Sequence, residues 1–118
     1  MTEVEQPRLL FVYGTLKRGF GNHHLLAHSA FVGECRTAGH YRLVVFAGYP
    51  ALAADGDVAI HGELYSVNAR TLENLDVFEG NAYLRAAVSL ADGRQAEGYL
   101  LVSALLDRAV PAPQNRWL

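Results

Sequence analysis

The strongest constraint on this chain lies near its start, in Phe11-Val12-Tyr13-Gly14-Thr15-Leu16-Lys17-Arg18-Gly19. Leu9 to Val12 form an unbroken apolar run, closed by a glycine two residues on. Such a run reads as a strand buried on both faces. At Gly14 the pattern stops. Glycine has no Cβ, so the backbone can turn sharply there and a ligand can come close. A turn leaving a buried strand points several N–H groups one way, and such a nest attracts an anion. Two readings of the stretch stand side by side. One is a small anion-binding loop built from the amides near Gly14, Thr15 and Leu16, with Lys17 and Arg18 adding positive charge. The other is a tight turn carrying two solvated basic residues. The spacing is neither that of a Walker loop nor that of GxGxxG.

A chain of 118 residues reads as one domain, 1–118, long enough for a real core over about 9–103, with a tail over 104–118. Hydrophobic residues make up 51% and charged residues 19%, as in an ordinary globular chain. The net charge of −2 and the lack of a basic tract argue against nucleic acid as a partner. No apolar run approaches the roughly 20 residues that span a membrane. Met1 to Pro7 is acidic and lacks the apolar segment of a secretory leader. Cys35 is the single cysteine, so no internal disulfide forms. Together these features predict a cytoplasmic protein.

Past the loop, Asn22 is a candidate cap for a short helix through about Ser29. Ala30 to Phe46 reads as two strands, with bends or bulges at Gly33 and Gly39. Ala47 to Leu52 reads as a loop around Pro50, and Ala54-Asp55-Gly56-Asp57 as a turn. Val58 to Val67 is the next strand. Asn68 caps a helix from Ala69 to about Glu79, with Gly80 past its end. Tyr83–Leu90 and Gln95–Val102 pair as a hairpin around Asp92-Gly93. Leu105 to Leu118 contains Pro111 and Pro113 and reads as a loosely packed tail that Trp117 could anchor. About six strands and two short helices in so small a domain suggest a curled, partly closed sheet.

The helix Ala69–Glu79 carries a carboxylate where an apolar residue belongs. At about 100° per residue, Glu79 falls between Leu72 and Leu75 on the wheel. It also occupies the last turn, where the helix dipole is negative. Burial and dipole both oppose ionisation, and a carboxylate so held suits acid–base work near neutral pH. The alternatives are a frayed helix with a solvated Glu79, or an ion pair with Arg85. Asp76 flanks the same stripe and reads as a helix-end hydrogen-bonding residue.

These elements resemble a known family. Val12-Tyr13-Gly14-Thr15-Leu16-Lys17-Arg18-Gly19, Gly62-Glu63-Leu64-Tyr65 and Leu75-Asp76-Val77-Phe78-Glu79-Gly80 resemble the γ-glutamylcyclotransferase-like family. The nearest branch is that of γ-glutamylamine cyclotransferase and its small bacterial relatives. Tyr49-Pro50-Ala51-Leu52 and Tyr83-Leu84-Arg85 look like family features too. The resemblance implies an α+β fold: a small mixed, mostly antiparallel β-barrel with short flanking helices. It places the acid–base role on Glu79 and substrate binding on Tyr13, Gly14, Thr15, Leu16, Tyr49, Pro50 and Tyr83. The segment between Glu79 and Tyr83 looks shorter than in the animal enzymes, which alters the cavity rim. The implied reaction converts a γ-glutamyl-amine or small γ-glutamyl amide to 5-oxoproline and a free amine. It requires no metal and no organic cofactor.

Other residues carry competing readings. His24 and His28 are spaced i, i+4, but no HExxH pattern completes a metal site, and surface histidines are the default. Cys35 sits in a strand without a partner motif and reads as packing. Glu63 is the rival catalytic carboxylate, with structural pairing the favoured reading. Tyr13 and Tyr83 read as pocket residues or as ordinary core and rim aromatics. Two other functions remain open: a catalytically silent domain that binds a small molecule in the same cavity, and an amidohydrolase that releases glutamate. The oligomeric state is not read from the sequence.

Overall fold

A computed structural model describes residues 7–118. The leaderless start read over Met1 to Pro7 lies, apart from Pro7, outside the described residues. In chain order the strands are β1 (Arg8–Val12), β2 (Ala30–Arg36), β3 (Tyr41–Phe46), β4 (Tyr49–Val58), β5 (His61–Val67), β6 (Tyr83–Ser89), β7 (Gln95–Leu101) and β8 (Val110–Pro111). The one α-helix described, α1 (Ala69–Glu79), lies between β5 and β6. Short 3-10 turns cover His23–Leu26, Gly80–Ala82 and Ser103–Arg108. No described helix is long and apolar enough to cross a membrane.

The sheet order is β2-β5-β1-β7-β4-β3-β8, with β6 also on β7. β1 is central, as its apolar run requires. It lies antiparallel to β5, Leu10 facing Tyr65, and parallel to β7 through Leu10 and Glu97. Its side chains alternate between two layers. Phe11 and Tyr13 enter a core with Tyr41, Leu52, Leu64 and Val88. Leu10 and Val12 enter a second core with Tyr65, Tyr99 and the helix residues Leu72 and Leu75.

Strand β7 creates the feature on which the site depends. β6 pairs along one whole edge, from Tyr83–Leu101 to Ser89–Gln95. The other edge is shared: β1 meets it at Glu97, and β4 takes over at Leu100 through Leu52. The sheet therefore forks there. The Tyr13 hydroxyl fills the fork. It donates to the Tyr99 carbonyl at 2.6 Å and accepts the Leu52 amide at 3.1 Å, so it bonds the main chain of both β7 and β4.

The α+β class is as read, and so are α1, the β6–β7 hairpin and the bulge near Gly33. The sheet curls but does not close into the expected barrel. β2 and the end of β6 approach each other only at the single bridge Thr37–Leu90, flanked by two backbone bonds. The expected loop over 47–52 shrinks to a two-residue turn. Ala47 (φ 51°) and Gly48 (φ 84°) both adopt left-handed backbone, so β3 and β4 form a tight hairpin that includes Pro50. The turn expected at 54–57 is an excursion within β4, between the pairs Arg42–Ala53 and Tyr41–Val58. Gly56 permits it, since a Cβ there would meet the Tyr41 carbonyl oxygen.

Two further expectations fail on side-chain chemistry. Asn22 does not cap; its amide donates to Thr15 Oγ1 at 2.9 Å and secures the loop instead. The tail is not loose. β8 pairs with β3, the Asn115 carbonyl accepts the His61 amide at 3.0 Å, and Trp117 packs on the first core.

Candidate active site

The fork opens into a cavity of about 440 Å³. Every residue to which the family resemblance gives catalysis or substrate binding lines it: Glu79, Tyr13, Gly14, Thr15, Leu16, Tyr49, Pro50 and Tyr83. Four elements deliver them. β1 delivers Tyr13 and the turn after it. The start of β4 delivers Tyr49 and Pro50. The end of α1 delivers Glu79, and the start of β6 delivers Tyr83. Gly14 is required for contact rather than for conformation, because a Cβ there would lie 2.5 Å from Pro50 Cγ. The two segments pack directly on each other and form one wall.

α1 forms for the reasons its sequence carries. Asn68 Oδ1 accepts the Thr71 amide at 2.8 Å, and Gly80 ends the helix with φ 72°, its N–H donating to the Asp76 carbonyl. Leu72 and Leu75 are buried, so the wheel position between them turns Glu79 inward. Burial pushes its carboxyl up to about 7. Among the described residues no donor or cation pairs with it. Arg85, the alternative partner, lies 3.0 Å from Asp76 Oδ1 and 3.1 Å from Glu97 Oε1. Asp76 also accepts the Tyr99 hydroxyl at 2.6 Å, a structural role as read.

Three tyrosines surround the carboxylate, and its charge helps to hold them neutral. Burial, then Glu79, raises Tyr83 to about 12. Burial is the main cause at Tyr13 and Tyr99 too, with Glu79 a smaller one. Tyr83 makes no hydrogen bond to Glu79. The Tyr83 hydroxyl instead donates to the Pro50 carbonyl at 3.0 Å, tying β6 to the wall.

The loop corrects the reading of its two bases. Lys17 is buried, and its Nζ donates to the Trp117 carbonyl at 2.7 Å. The Arg18 amide and Nε bond the Glu63 carboxylate at 2.9 and 3.3 Å, and its guanidinium stacks on Phe31. Neither base lines the cavity. The Lys17 amide bonds the Gly14 carbonyl, and the Asn22 amide bonds the Thr15 carbonyl. Among the described residues, the amides of Gly14, Thr15 and Leu16 have no protein acceptor.

The other candidates lie elsewhere. Glu63 accepts from Arg18 and from the Tyr65 hydroxyl at 3.0 Å, the structural pairing favoured for it. Burial raises the Cys35 thiol to about 11, away from reactive thiolate. His24 turns its ring to the Gly21 carbonyl. No group of three His, Cys, Asp or Glu among the described residues could hold a metal. The cavity also contains residues that sequence reasoning passed over: Phe46, Ala47, Phe78, Ala82, Asn22 and Tyr99. Phe78 precedes Glu79 at the helix end, which was a usable signal. Phe46 and Ala47 became visible only when the supposed loop proved to be a hairpin.

Residues 10–118 match the family described as Gamma-glutamyl cyclotransferase, AIG2-like, and the chain belongs to it. A Vibrio cholerae protein named "Putative gamma-glutamylcyclotransferase" is 44% identical over 71 residues, 60% of this chain and 61% of that protein. A Methanocaldococcus jannaschii protein, also named "Putative gamma-glutamylcyclotransferase", is 36% identical over 97 residues, 77% of this chain and 80% of its own. Among solved structures, c4763, a uropathogenic E. coli-specific protein, superposes with a TM-score of 0.81 at 28% identity, covering 94% of this chain and 88% of that one.

Proposed function

We propose that the protein is a γ-glutamyl cyclotransferase that releases 5-oxoproline and a free amine from a γ-glutamyl-amine or small γ-glutamyl amide. Glu79 carries the proposal: an unpaired, part-buried carboxylate held at about 7 in a largely apolar cavity. In the reaction the substrate's α-ammonium gives a proton to the Glu79 carboxylate. The freed amine attacks the γ-carbonyl, closing a five-membered ring through a tetrahedral intermediate. The bond to the leaving nitrogen then breaks as Glu79 returns the proton to it; the ring nitrogen's second proton follows the same way, so the amine departs as its ammonium and Glu79 is again a carboxylate. One group near neutrality serves both transfers. Attack is intramolecular, so folding the chain into ring geometry supplies much of the acceleration.

The unpartnered amides of Gly14, Thr15 and Leu16 receive the substrate's α-carboxylate. Tyr13 and Tyr83 shape the wall, because both hydroxyls already bond main-chain groups. Incubation with a panel of γ-glutamyl compounds, read by mass spectrometry, tests the reading. 5-Oxoproline with equimolar amine is the expected product. Glutamate in its place signals hydrolysis, and binding without any product signals the silent domain.

A further inference from the structure

We infer that the leaving amine carries an uncharged, apolar or aromatic arm, so that γ-glutamyl compounds with a carboxylate on the leaving group are disfavoured. The inference rests on the cyclotransferase reading and specifies its substrate class. It starts from which charges the cavity contains. No Lys, Arg or His is among the described residues that line it. Among the described residues the amides at Gly14 to Leu16 form an anion-receptive run without protein acceptors, and in the cyclotransferase reading the α-carboxylate that every γ-glutamyl substrate carries occupies it. A second carboxylate would enter without a cation, lose water and face Glu79. An unpaired ion in such surroundings is strongly disfavoured.

The walls show what the arm meets instead. Phe46, Tyr49 and Phe78 line the cavity together with Ala47 and Ala82. Tyr49 is 58% exposed and Phe78 46% exposed, so two rings at this site have faces free to be covered. Tyr49 follows the tight turn Ala47-Gly48, and Phe78 sits in the last turn of α1 beside Glu79. Both are held by short, regular elements rather than by long loops. An apolar arm gains by covering these rings, and a flat ring gains most.

A matched pair isolates the charge: γ-glutamylphenethylamide and γ-glutamylphenylalanine share the ring and differ by one carboxylate. The expected kcat/KM favours the phenethylamide by about tenfold or more. Phe78→Ala and Tyr49→Ala should lower kcat/KM for the phenethylamide about tenfold more than for γ-glutamylmethylamide, whose arm is too short to reach a ring. Equal use of the matched pair, or equal losses on both amides, overturns the inference while leaving the cyclotransferase reading intact. If neither compound yields 5-oxoproline, that reading falls. Calorimetric binding of the same pair to the wild type then decides the cavity's preference: tighter phenethylamide binding upholds it, and equal binding removes it.

Discussion

One turn of chain, Tyr13 to Arg18, serves two pockets that share no residue. Tyr13 to Leu16 line the cavity of about 440 Å³, whereas Lys17 helps to line another of about 400 Å³ with Glu34, Cys35, Arg36, His61, Gly62, Glu63 and Arg116. By charge alone the Lys17 pocket would pass for the working site. Most of its charges are answered within the protein. Glu63 accepts from the Arg18 amide and guanidinium, Lys17 donates to the Trp117 carbonyl, and Arg116 Nη2 lies 3.1 Å from His61 Nδ1. Burial, then the cations Arg116, Arg36 and Lys17, pushes His61 below its usual range. The Glu79 pocket holds one carboxylate, and nothing among the described residues answers it. Charges bonded to fixed partners help to hold the fold together; a single charge without a partner is free for a substrate's proton.

The largest effect expected separates the two halves of the turn. Gly14→Val places carbon where Pro50 Cγ already stands 2.5 Å from a Cβ, closing the wall and moving the amides. Turnover of γ-glutamyl substrates should fall below detection while the protein still folds by circular dichroism. Lys17→Ala, on the other half, should leave kcat/KM within a few-fold but cost roughly 1–2 kcal/mol of stability, because it removes a buried stem and the bond to the Trp117 carbonyl. The reason is packing, not the screening that an exposed lysine would have implied. A substrate with its α-carboxylate amidated should be poor on the wild type. If it is as good as the parent, the amides do not read that group.

The next effect sets Glu79 against Glu63. Glu79→Gln keeps the shape and loses the proton acceptor, so kcat should drop by about 10² or more. The wild-type kcat/KM should decline as pH falls through about 7, since protonation blocks the first transfer. Glu63→Gln should keep turnover within a few-fold and lose roughly 1–2 kcal/mol of stability, limited because Arg18 is half exposed. Near-normal turnover in folded Glu79→Gln, with loss in Glu63→Gln, would reverse the roles of the two pockets.

The sequence showed one of these pockets better than the other. Glu79 was legible because a helix repeats every 3.6 residues, and Asn68 and Gly80 fixed where that helix starts and stops. The Gly14 turn was legible because an apolar run ended on it. The fork at β7 was not, because which strand takes over at Leu100 depends on pairing between residues about fifty apart. Phe46 and Ala47 went unseen for a local reason. Pro50 reads as a loop residue, yet it fits a strand position directly after a left-handed turn. Lys17 was misplaced because its partner is Trp117, a hundred residues away in a tail that carries no periodic signal.

The smallest effect bears on whether the Glu79 cavity alone sets the titration of its carboxylate. Burial raises that carboxyl from 4.5 to about 7 in the folded protein. Between those values the unfolded chain binds fewer protons than the folded one, so this group makes stability fall as pH rises. Below about pH 4 both states are protonated and the penalty vanishes. Above about pH 7 both are ionised and it is complete. Glu79→Gln never ionises and escapes the penalty. The variant's gain over wild type should therefore be near zero at pH 4.5 and reach roughly 1–3 kcal/mol at pH 8, the upper end being the full shift without solvent relief. In a domain of this size that is a melting-temperature gain of roughly 3–9 °C, growing through the window. A gain that stays constant from pH 4.5 to 8 would mean that Glu79 ionises as it does in water. The apolar walls would then leave its charge unaltered, and the contrast between the two pockets would fail at the group on which it most depends.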